Sequence, residues 1–328
     1  MIAGLCRLYT LFLGAFLLLR LFFADRWWYA LPADFTPFLF VPLIVLAICA
    51  LLVRKRGAFL FALPILLIGF GWYGRYFVPK PMQTTTSPLL IVATANVRYD
   101  NRTPERLAEW VRETDPDVVF LQEVTPEFRT TTLESLRDEY PFQTDVDRIG
   151  AGEFATLSKY PFSESALGNQ FERHVIEFDG QPIALYNFHA PLPIGHRPHI
   201  PLFPNHLFAR VFLNYDSGGR DYYIDLLRER ASRETIPYII GGDFNMSDHA
   251  AMYGQLSAQF GDSFRETGTG FGYSYPSPEY YDLPAFFPSA VRIDYLWHSS
   301  QFQTMSAALG AFTGSDHLPL VASFTLTP

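Results

Sequence analysis

Three long apolar runs fill most of the first 80 residues, and short polar segments separate them. The runs cover residues 8–24, 35–53 and 58–78, and a helix that crosses a membrane needs roughly 20 such residues. Arg20 lies near the end of the first run, where its aliphatic stem lets the charge reach the membrane surface. The pattern predicts a membrane domain at residues 1–80 with about three transmembrane helices.

The first apolar run also fits a second interpretation, a cleaved signal peptide, because Arg7 precedes it. No small-x-small cleavage site follows the run, so we expect an uncleaved helix. The sequence alone leaves the retention of this run open.

The basic tripeptide at 54–56 joins the second and third runs, and the positive-inside rule places it in the cytoplasm. Three spans would then put the chain after residue 80 on the extracytoplasmic face of a multi-pass membrane protein. Aromatic residues that suit the outer interface follow the first run and close the third: Trp27, Trp28, Tyr29, Trp72, Tyr73 and Tyr76. Four basic residues on the same side argue against this orientation: Arg20, Arg26, Arg75 and Lys80.

Beyond residue 80 the pattern changes. Residues 81–88 are polar and contain proline and threonine, which predicts a linker. Short β-rich runs then predict strands at 89–95, 117–122, 154–158, 173–178, 183–188, 238–242, 293–297 and 320–326. Helical spacing predicts helices at 103–113, 127–139, 222–233 and 250–260. The mixture predicts one layered α/β (α+β) domain at residues 89–328.

Charge divides at the same place as hydrophobicity. Residues 1–80 carry eight basic and two acidic side chains, net +6, whereas the rest carries 17 and 31, net −14. Such an acidic domain is poorly suited to long DNA or RNA, because Lys and Arg contacts to phosphates supply most of that affinity. Both cysteines, Cys6 and Cys49, lie within the first 80 residues, so the second part has no thiol for a disulfide or a zinc site.

Polar residues that can bind a metal or a phosphate stand at or just beyond the ends of predicted strands. They are Asn96, Glu123, His189, Asp243 and Asp294. Strands of one sheet collect such positions along an edge, where a crevice can form. Asp316 and His317 follow in a Gly-Ser-Asp-His-Leu-Pro segment before the last strand.

These residue types fit phosphoester hydrolysis. Negative charge accumulates when water attacks a phosphate, so the enzyme needs a hard cation, a group that orients the water, and hydrogen-bond donors. Glu123 and Asp316 offer the oxygen ligands that Mg²⁺ or Mn²⁺ prefers. Asp243 can orient or deprotonate the water, and Asn245 can donate a hydrogen bond without adding charge.

The histidines complete this chemistry. His189 and His317 can donate hydrogen bonds to phosphate oxygens. Asp294 can hold a histidine in one tautomer and stabilise its protonated form. We therefore expect His189, Asp294 and His317 to belong to the catalytic group together with Asp243 and Asn245.

Six short motifs in a fixed order carry a likeness to a known family. They are Thr-Ala-Asn-Val at 94–97, Leu-Gln-Glu-Val at 121–124, Asn-Phe-His at 187–189, Gly-Gly-Asp-Phe-Asn at 241–245, Arg-Ile-Asp-Tyr at 292–295 and Gly-Ser-Asp-His-Leu-Pro at 314–319. Together they resemble the endonuclease/exonuclease/phosphatase superfamily. The resemblance implies a four-layer α/β/β/α sandwich and a divalent metal, with Asn96 and Glu123 near it.

One position departs from the family's pattern. Many abasic-site endonucleases of this superfamily carry aspartate two residues after the first asparagine, where this sequence has Arg98. A missing carboxylate favours a site with one metal ion. We expect Arg98 and Asn187 to be substrate contacts.

Two further segments are candidates for substrate binding. Residues 190–221 form a Pro- and aromatic-rich insertion, which predicts a lid or lipid clamp, or packing against the sandwich. An aromatic stretch before Asp294 is a candidate for the rim of the site and in part for the core: Phe271, Tyr273, Tyr275, Tyr280, Tyr281, Phe286 and Phe287.

The function that these observations favour is a membrane-anchored, metal-dependent phosphoesterase acting on a membrane-proximal phosphoester or pyrophosphate, for example a lipid-linked one. Three spans before such a domain resemble the membrane proteins of bacterial teicoplanin-resistance clusters, which implies a substrate like undecaprenyl pyrophosphate. An envelope-anchored nuclease is an alternative that the net charge of −14 disfavours. A catalytically inactive binding or scaffold domain is disfavoured because every motif keeps its polar residue.

Overall fold

The computed structural model describes the chain except residues 25, 82, 145–152, 169, 196–210, 212–213, 285–286 and 328, and the side chain of Trp27. Contacts divide it into two units, one formed largely by Met1–Pro79 and the other largely by the chain from Lys80 onwards. Most of the insertion predicted as a lid or lipid clamp at 190–221 lies outside the described residues, as does Phe286.

The first unit is helical. Its helices are α1 Ile2–Phe23, α2 Trp27–Asp34, α3 Thr36–Leu52 and α4 Arg56–Tyr73. By length and composition, Ile2–Phe23 and Arg56–Phe77 can each cross a membrane, and the pair Trp28–Asp34 and Thr36–Leu52, bent by 65°, makes a third span if it is counted as one. The predicted apolar runs are therefore helices, two or three of which are candidate spans.

Small residues lie between these helices, and large apolar residues point outwards. Ala47, Ala58 and Ala62 are buried where α1, α3 and α4 pack together. Leu52 and Phe70 are exposed, as are many other large apolar side chains of this unit. Close packing through small residues with apolar side chains outside is typical of helices in a lipid bilayer.

In its described residues the second unit contains two six-stranded sheets, ordered β11-β12-β1-β2-β4-β3 and β5-β6-β7-β8-β10-β9. The strands are β1 Leu90–Asn96, β2 Val118–Gln122, β3 Phe142–Gln143, β4 Phe154–Ser158, β5 Glu164–Leu167, β6 Phe171–Phe178, β7 Gln181–His189, β8 Tyr238–Asp243, β9 Gly261–Asp262, β10 Asp294–His298, β11 Phe302–Leu309 and β12 Leu320–Leu326. The helices are α5 Glu105–Thr114, α6 Pro126–Phe128, α7 Gly218–Ala231, α8 Ala251–Ser257 and α9 Ser263–Thr267.

Apolar residues fill the space between the sheets and cover both outer faces. The inner core includes these fully buried side chains of both sheets: Val92, Phe120, Leu185, Ile239, Leu296 and Phe324. Trp110 of α5 packs on the outer face of the first sheet, and Tyr253 of α8 lies against Trp297 on the second, with ring centroids 5.5 Å apart. Burial of apolar surface is the main driving force for this layering. The predicted mixed α/β sandwich is confirmed.

Candidate active site

The register of the second sheet brings three predicted residues side by side. Strand β7 runs parallel to β8 and pairs His189 with Asp243, and β10 runs antiparallel to β8 and pairs Asp294 with Asp243. Side chains at paired positions of neighbouring strands point to the same face of a sheet. Asp243 therefore lies between His189 and Asp294 at one edge.

Two glycines allow β8 to reach this position. Gly242 has a φ of 147°, and a Cβ atom there would lie 1.7 Å from the carbonyl oxygen of Phe188. A Cβ at Gly241 would lie 2.4 Å from the ring of Phe120. No L-residue with a side chain fits the first of these positions, so the Gly-Gly pair positions Asp243 against β7.

Hydrogen bonds hold the Asp243 carboxylate in one orientation. The Asn96 side-chain amide donates to its Oδ2 at 3.1 Å, and the backbone amide of Asn245 donates to its Oδ1 at 2.8 Å. The Asn245 side-chain amide lies 3.4 Å from Oδ2 and also donates to the carbonyl of Ala190 at 2.8 Å. Burial raises the pKa of Asp243, but the charges of His317 and His189 outweigh it, so the pKa is lowered.

Asp294 and His317 form a buried pair beside Asp243. His317 Nδ1 lies 2.9 Å from Asp294 Oδ2, and His317 Nε2 lies 3.8 Å from Asp243 Oδ2. Burial lowers the pKa of His317, but the carboxylates of Asp294 and Asp243 outweigh it and raise the pKa to about 10. At neutral pH His317 is therefore a cation whose Nε2 faces Asp243.

His189 lies between two carboxylates. Its Nε2 is 3.5 Å from Asp243 Oδ2, and its Nδ1 is 2.8 Å from Oε1 of Glu153, a residue that sequence reasoning missed. Burial lowers the pKa of His189, but hydrogen bonds to Asp243 and Glu153 outweigh it, so the pKa is well above the usual value. The strand pairing does indicate that Glu153 lies near the site. It precedes β4, which runs antiparallel to β2, so β4 begins where β2 ends.

Glu123 is the predicted metal ligand at the end of β2. It has a φ of 59° and is half-buried, and such unusual backbone conformations concentrate at functional sites. Its Oε1 accepts from the Asn96 side chain at 3.0 Å, and its Oε2 accepts from the backbone amide of Tyr99 at 3.2 Å. Asn96 thus touches both Glu123 and Asp243, and it connects the candidate metal ligand with the candidate water-binding group.

Asp316, the other predicted carboxylate ligand, is buried, and its two carboxylate oxygens have different surroundings. Its Oδ2 contacts Arg98 Nη1 at 2.6 Å and accepts from the Tyr281 hydroxyl at 3.1 Å. Its Oδ1 has no hydrogen-bond partner in the described part of the chain. A buried carboxylate oxygen without a donor is costly unless a cation or water satisfies it. The oxygen donors of Asp316 and Glu123 therefore fit a hard divalent cation.

A different group of side chains has ligand atoms close enough together to hold a metal ion. Ligand atoms of Asp243, Asp294 and His317 lie within 4.8 Å of one another. In this group, however, Nδ1 of His317 is already hydrogen-bonded to the carboxylate of Asp294. We therefore favour Glu123, Asn96 and Asp316 as the candidate metal ligands and the second group as the candidate catalytic residues.

The aromatic stretch before β10 contributes three rings to this region. The Tyr275 ring lies 4.9 Å from the His317 ring, and the Tyr280 hydroxyl donates to Asp100 at 3.1 Å. Burial and the charge of Asp316 raise the pKa of Tyr281 to about 12, so its hydroxyl is a donor at neutral pH. These tyrosines lie beside predicted site residues, where a substrate rim was expected.

Asn187 does not occupy the place predicted for a substrate contact. Its side chain is fully buried between the sheets, and its amide donates to the carbonyls of Leu121 and Ala155, each at 3.1 Å. Its carbonyl accepts from the Gln122 side chain at 2.7 Å. Because these bonds run from β7 to the other sheet, we correct the expected role of Asn187 to a link between the two sheets.

The profile of the Endonuclease/Exonuclease/phosphatase family matches residues 93–317, which is more than half of the chain. The chain belongs to this family. Its members are typically hydrolases of phosphoester bonds and generally use a divalent metal. The family membership predicted from the six motifs is therefore confirmed.

Solved structures support the same fold. A Bacteroides vulgatus endonuclease/exonuclease/phosphatase superposes with a TM-score of 0.56 at 18% identity, covering 73% of this chain and 100% of that one. Humanized D. rerio TDP2 gives 0.55 at 18% identity, covering 72% and 99%. An endonuclease/exonuclease/phosphatase family protein from Leptotrichia buccalis C-1013-b gives 0.52 at 17% identity, covering 72% and 100%. No curated protein matches the sequence significantly.

Proposed function

We propose that this protein is a membrane-anchored, metal-dependent phosphoesterase that cleaves a membrane-proximal phosphoester or pyrophosphate, with a lipid-linked pyrophosphate as the substrate of choice. The observation that carries the proposal is the convergence of Asp243, His189 and the Asp294–His317 pair at one sheet edge, with Glu123 joined to them through Asn96. In a domain with only a structural role, polar residues from motifs so far apart in the sequence would not be expected to meet at one sheet edge.

In this proposal Glu123, Asn96 and Asp316 hold one Mg²⁺ or Mn²⁺ ion. When bound, the ion supplies positive charge that stabilises the phosphate as negative charge accumulates. The low pKa of Asp243 keeps this carboxylate ionised at neutral pH, so it accepts a hydrogen bond from the attacking water and orients it. Asn245 and protonated His317 donate hydrogen bonds to phosphate oxygens, and each keeps its proton.

The lipid-linked substrate is supported by three features of the chain. Among the described residues, two helices are long and apolar enough to anchor it in a bilayer, and a bent helix pair adds a third span if it is counted as one. The predicted linker at 81–88 has a maximum extension of roughly 30 Å, which favours substrates at the membrane surface. The net charge of −14 after residue 80 disfavours long nucleic acid as a partner.

A substrate panel tests this function. The full chain in detergent micelles with Mg²⁺ is offered a prenyl pyrophosphate, sphingomyelin, a phosphoinositide and plasmid DNA at equal phosphate concentration. We expect the prenyl pyrophosphate to be cleaved fastest and DNA slowest. Faster cleavage of DNA would replace the proposal with an envelope nuclease, and no cleavage of any member would favour a binding or scaffold domain.

Metal removal should abolish activity. The candidate ligands are oxygen atoms, so excess chelator should reduce turnover to background, and Mg²⁺ or Mn²⁺ should restore it. Activity is measured on the preferred member of the panel, with the thermal unfolding curve as a control that the chelated chain stays folded. Full turnover in excess chelator would refute the metal-dependent mechanism.

The hydrolase domain should face away from the cytoplasm. A reporter that is active only after export, joined after Pro328, should be active in bacterial cells, because the basic loop at 54–56 favours the cytoplasmic side. The same reporter placed in that loop is the matched control and should be inactive. The reverse pattern would invert the proposed topology.

A further inference from the structure

Arg98 is held in a fixed position by contacts on several sides. Its Nε lies 2.7 Å from Asp100 Oδ1, and its Nη1 lies 2.6 Å from Asp316 Oδ2. The guanidinium carbon lies 5.0 Å from the centre of the Tyr99 ring and 5.3 Å from that of Tyr280. A guanidinium held between two carboxylates and two rings is already ordered. It therefore loses little conformational entropy when a ligand binds.

The backbone around Arg98 fixes the same geometry. Its φ is 63°, and its amide donates to the Asn96 side-chain carbonyl at 3.0 Å. The Asn96 side-chain amide in turn donates to Glu123 and Asp243. Arg98 is therefore connected through one side chain to both the candidate metal ligand and the candidate water-binding group.

One edge of the guanidinium remains open to a ligand. Nη2 has no hydrogen-bond partner among the residues that the structure describes, and the side chain keeps 17% of its surface exposed. Oδ1 of Asp316 is also without a partner there. The pair therefore offers a positive edge through Arg98 Nη2 and a negative oxygen through Asp316, next to each other.

We propose that Arg98 is a specificity-determining residue that binds the terminal phosphate of a pyrophosphate-containing substrate, with Asp100 and Asp316 as the groups that hold it in place. The inference rests on the proposed phosphoesterase function. A terminal phosphate exposes more negatively charged non-bridging oxygens than a phosphodiester, so a fixed guanidinium with Nη2 open to it selects it by charge-assisted hydrogen bonding.

Binding of methylenediphosphonate tests this role, because its P–C–P link resists hydrolysis. Its affinity for the full chain in micelles with Mg²⁺ is measured by calorimetry and compared with that of dimethyl phosphate, a simple diester. We expect Arg98→Gln to weaken diphosphonate binding by about tenfold or more, and diester binding by less than about threefold. The matched control is Arg102→Gln, which removes the same charge from an exposed position of the same loop and should change neither.

Asp100→Asn tests the anchoring role separately. In the parent chain it should weaken diphosphonate binding several-fold, since Arg98 loses one of its two carboxylates, and in the Arg98→Gln background it should have no further effect. If Arg98→Gln fails to fold, Arg98→Lys carries the test, because lysine keeps the charge but loses the planar fork and should still weaken binding several-fold.

Equal diphosphonate affinities of Arg98→Gln and Arg102→Gln would overturn the inference, as would an Asp100→Asn effect that persists without Arg98. These binding outcomes do not depend on turnover. A chain that cleaves the prenyl pyrophosphate but binds diphosphonate equally well without Arg98 refutes this inference alone. A chain that cleaves no member of the substrate panel refutes the proposed function instead.

Discussion

Gly242→Ala should prevent the hydrolase domain from folding normally. The added Cβ would lie 1.7 Å from the carbonyl oxygen of Phe188, which belongs to the neighbouring strand, and the φ of 147° is unfavourable for any residue with a side chain. Backbone cannot move aside as the end of a flexible side chain can. We expect a loss of more than about 4 kcal/mol, seen as little folded protein or a much lower thermal unfolding midpoint in detergent.

A second glycine provides the matched control. Gly254 lies in helix α8, and no atom lies within 4 Å of the Cβ that alanine would add there. Alanine favours a helix over glycine by up to about 1 kcal/mol, so Gly254→Ala should leave the unfolding midpoint unchanged or raise it. A Gly242→Ala chain that unfolds at the midpoint of the parent would mean that β8 does not pass Phe188 this closely.

The strands that sequence patterns predict well are those inside the sheets. Strand β2, Val118–Gln122, is buried along its whole length, and its unbroken apolar run was sufficient to locate it. Strand β11, Phe302–Leu309, was missed because it lies at an edge and carries Ser and Ala at partly exposed positions. Edge strands have one neighbour and face water, so their composition resembles that of loops.

The helix predicted at 127–139 shows a different limit. The structure begins a helix at Pro126–Phe128 but winds more widely over Arg129–Leu133. The hydroxyls of Thr130 and Thr131 both donate to the carbonyl of Glu127, at 3.1 and 2.9 Å. Threonine side chains that bond to the preceding turn compete with the regular backbone pattern, which apolar periodicity does not register.

The residues of the site were predictable wherever a parallel strand ended. Asn96 and Asp243 follow this rule, because the carboxyl ends of β1 and β8 lie where a crevice forms. Glu153 does not follow this rule, because it lies at the beginning of an antiparallel strand. Asn187 was misplaced since it lies on the same face as His189 but two residues earlier, about 7 Å deeper in the sandwich. Depth along a strand follows from sheet register, which single-strand patterns do not contain.

Asp243→Ala should reduce turnover of the preferred substrate by at least about 10³-fold, with a much smaller change in KM. The substitution removes the carboxylate that Asn96 and Asn245 hold in place for the attacking water, and general-base or water-orienting groups contribute effects of about this size. The measurement is kcat in micelles with saturating Mg²⁺, with the thermal unfolding curve recorded for the same preparation.

Asp225→Ala is the control for this substitution. Asp225 pairs with Arg228 on the surface of α7 at 2.6 Å, and exposed pairs of this kind contribute about 0–1 kcal/mol to stability. Its turnover should equal that of the parent. His317→Ala should lower turnover as well, and the double variant with Asp243→Ala should be little slower than Asp243→Ala alone, because groups that act on one transition state are not additive. A loss below about tenfold for Asp243→Ala would place the water-orienting group elsewhere.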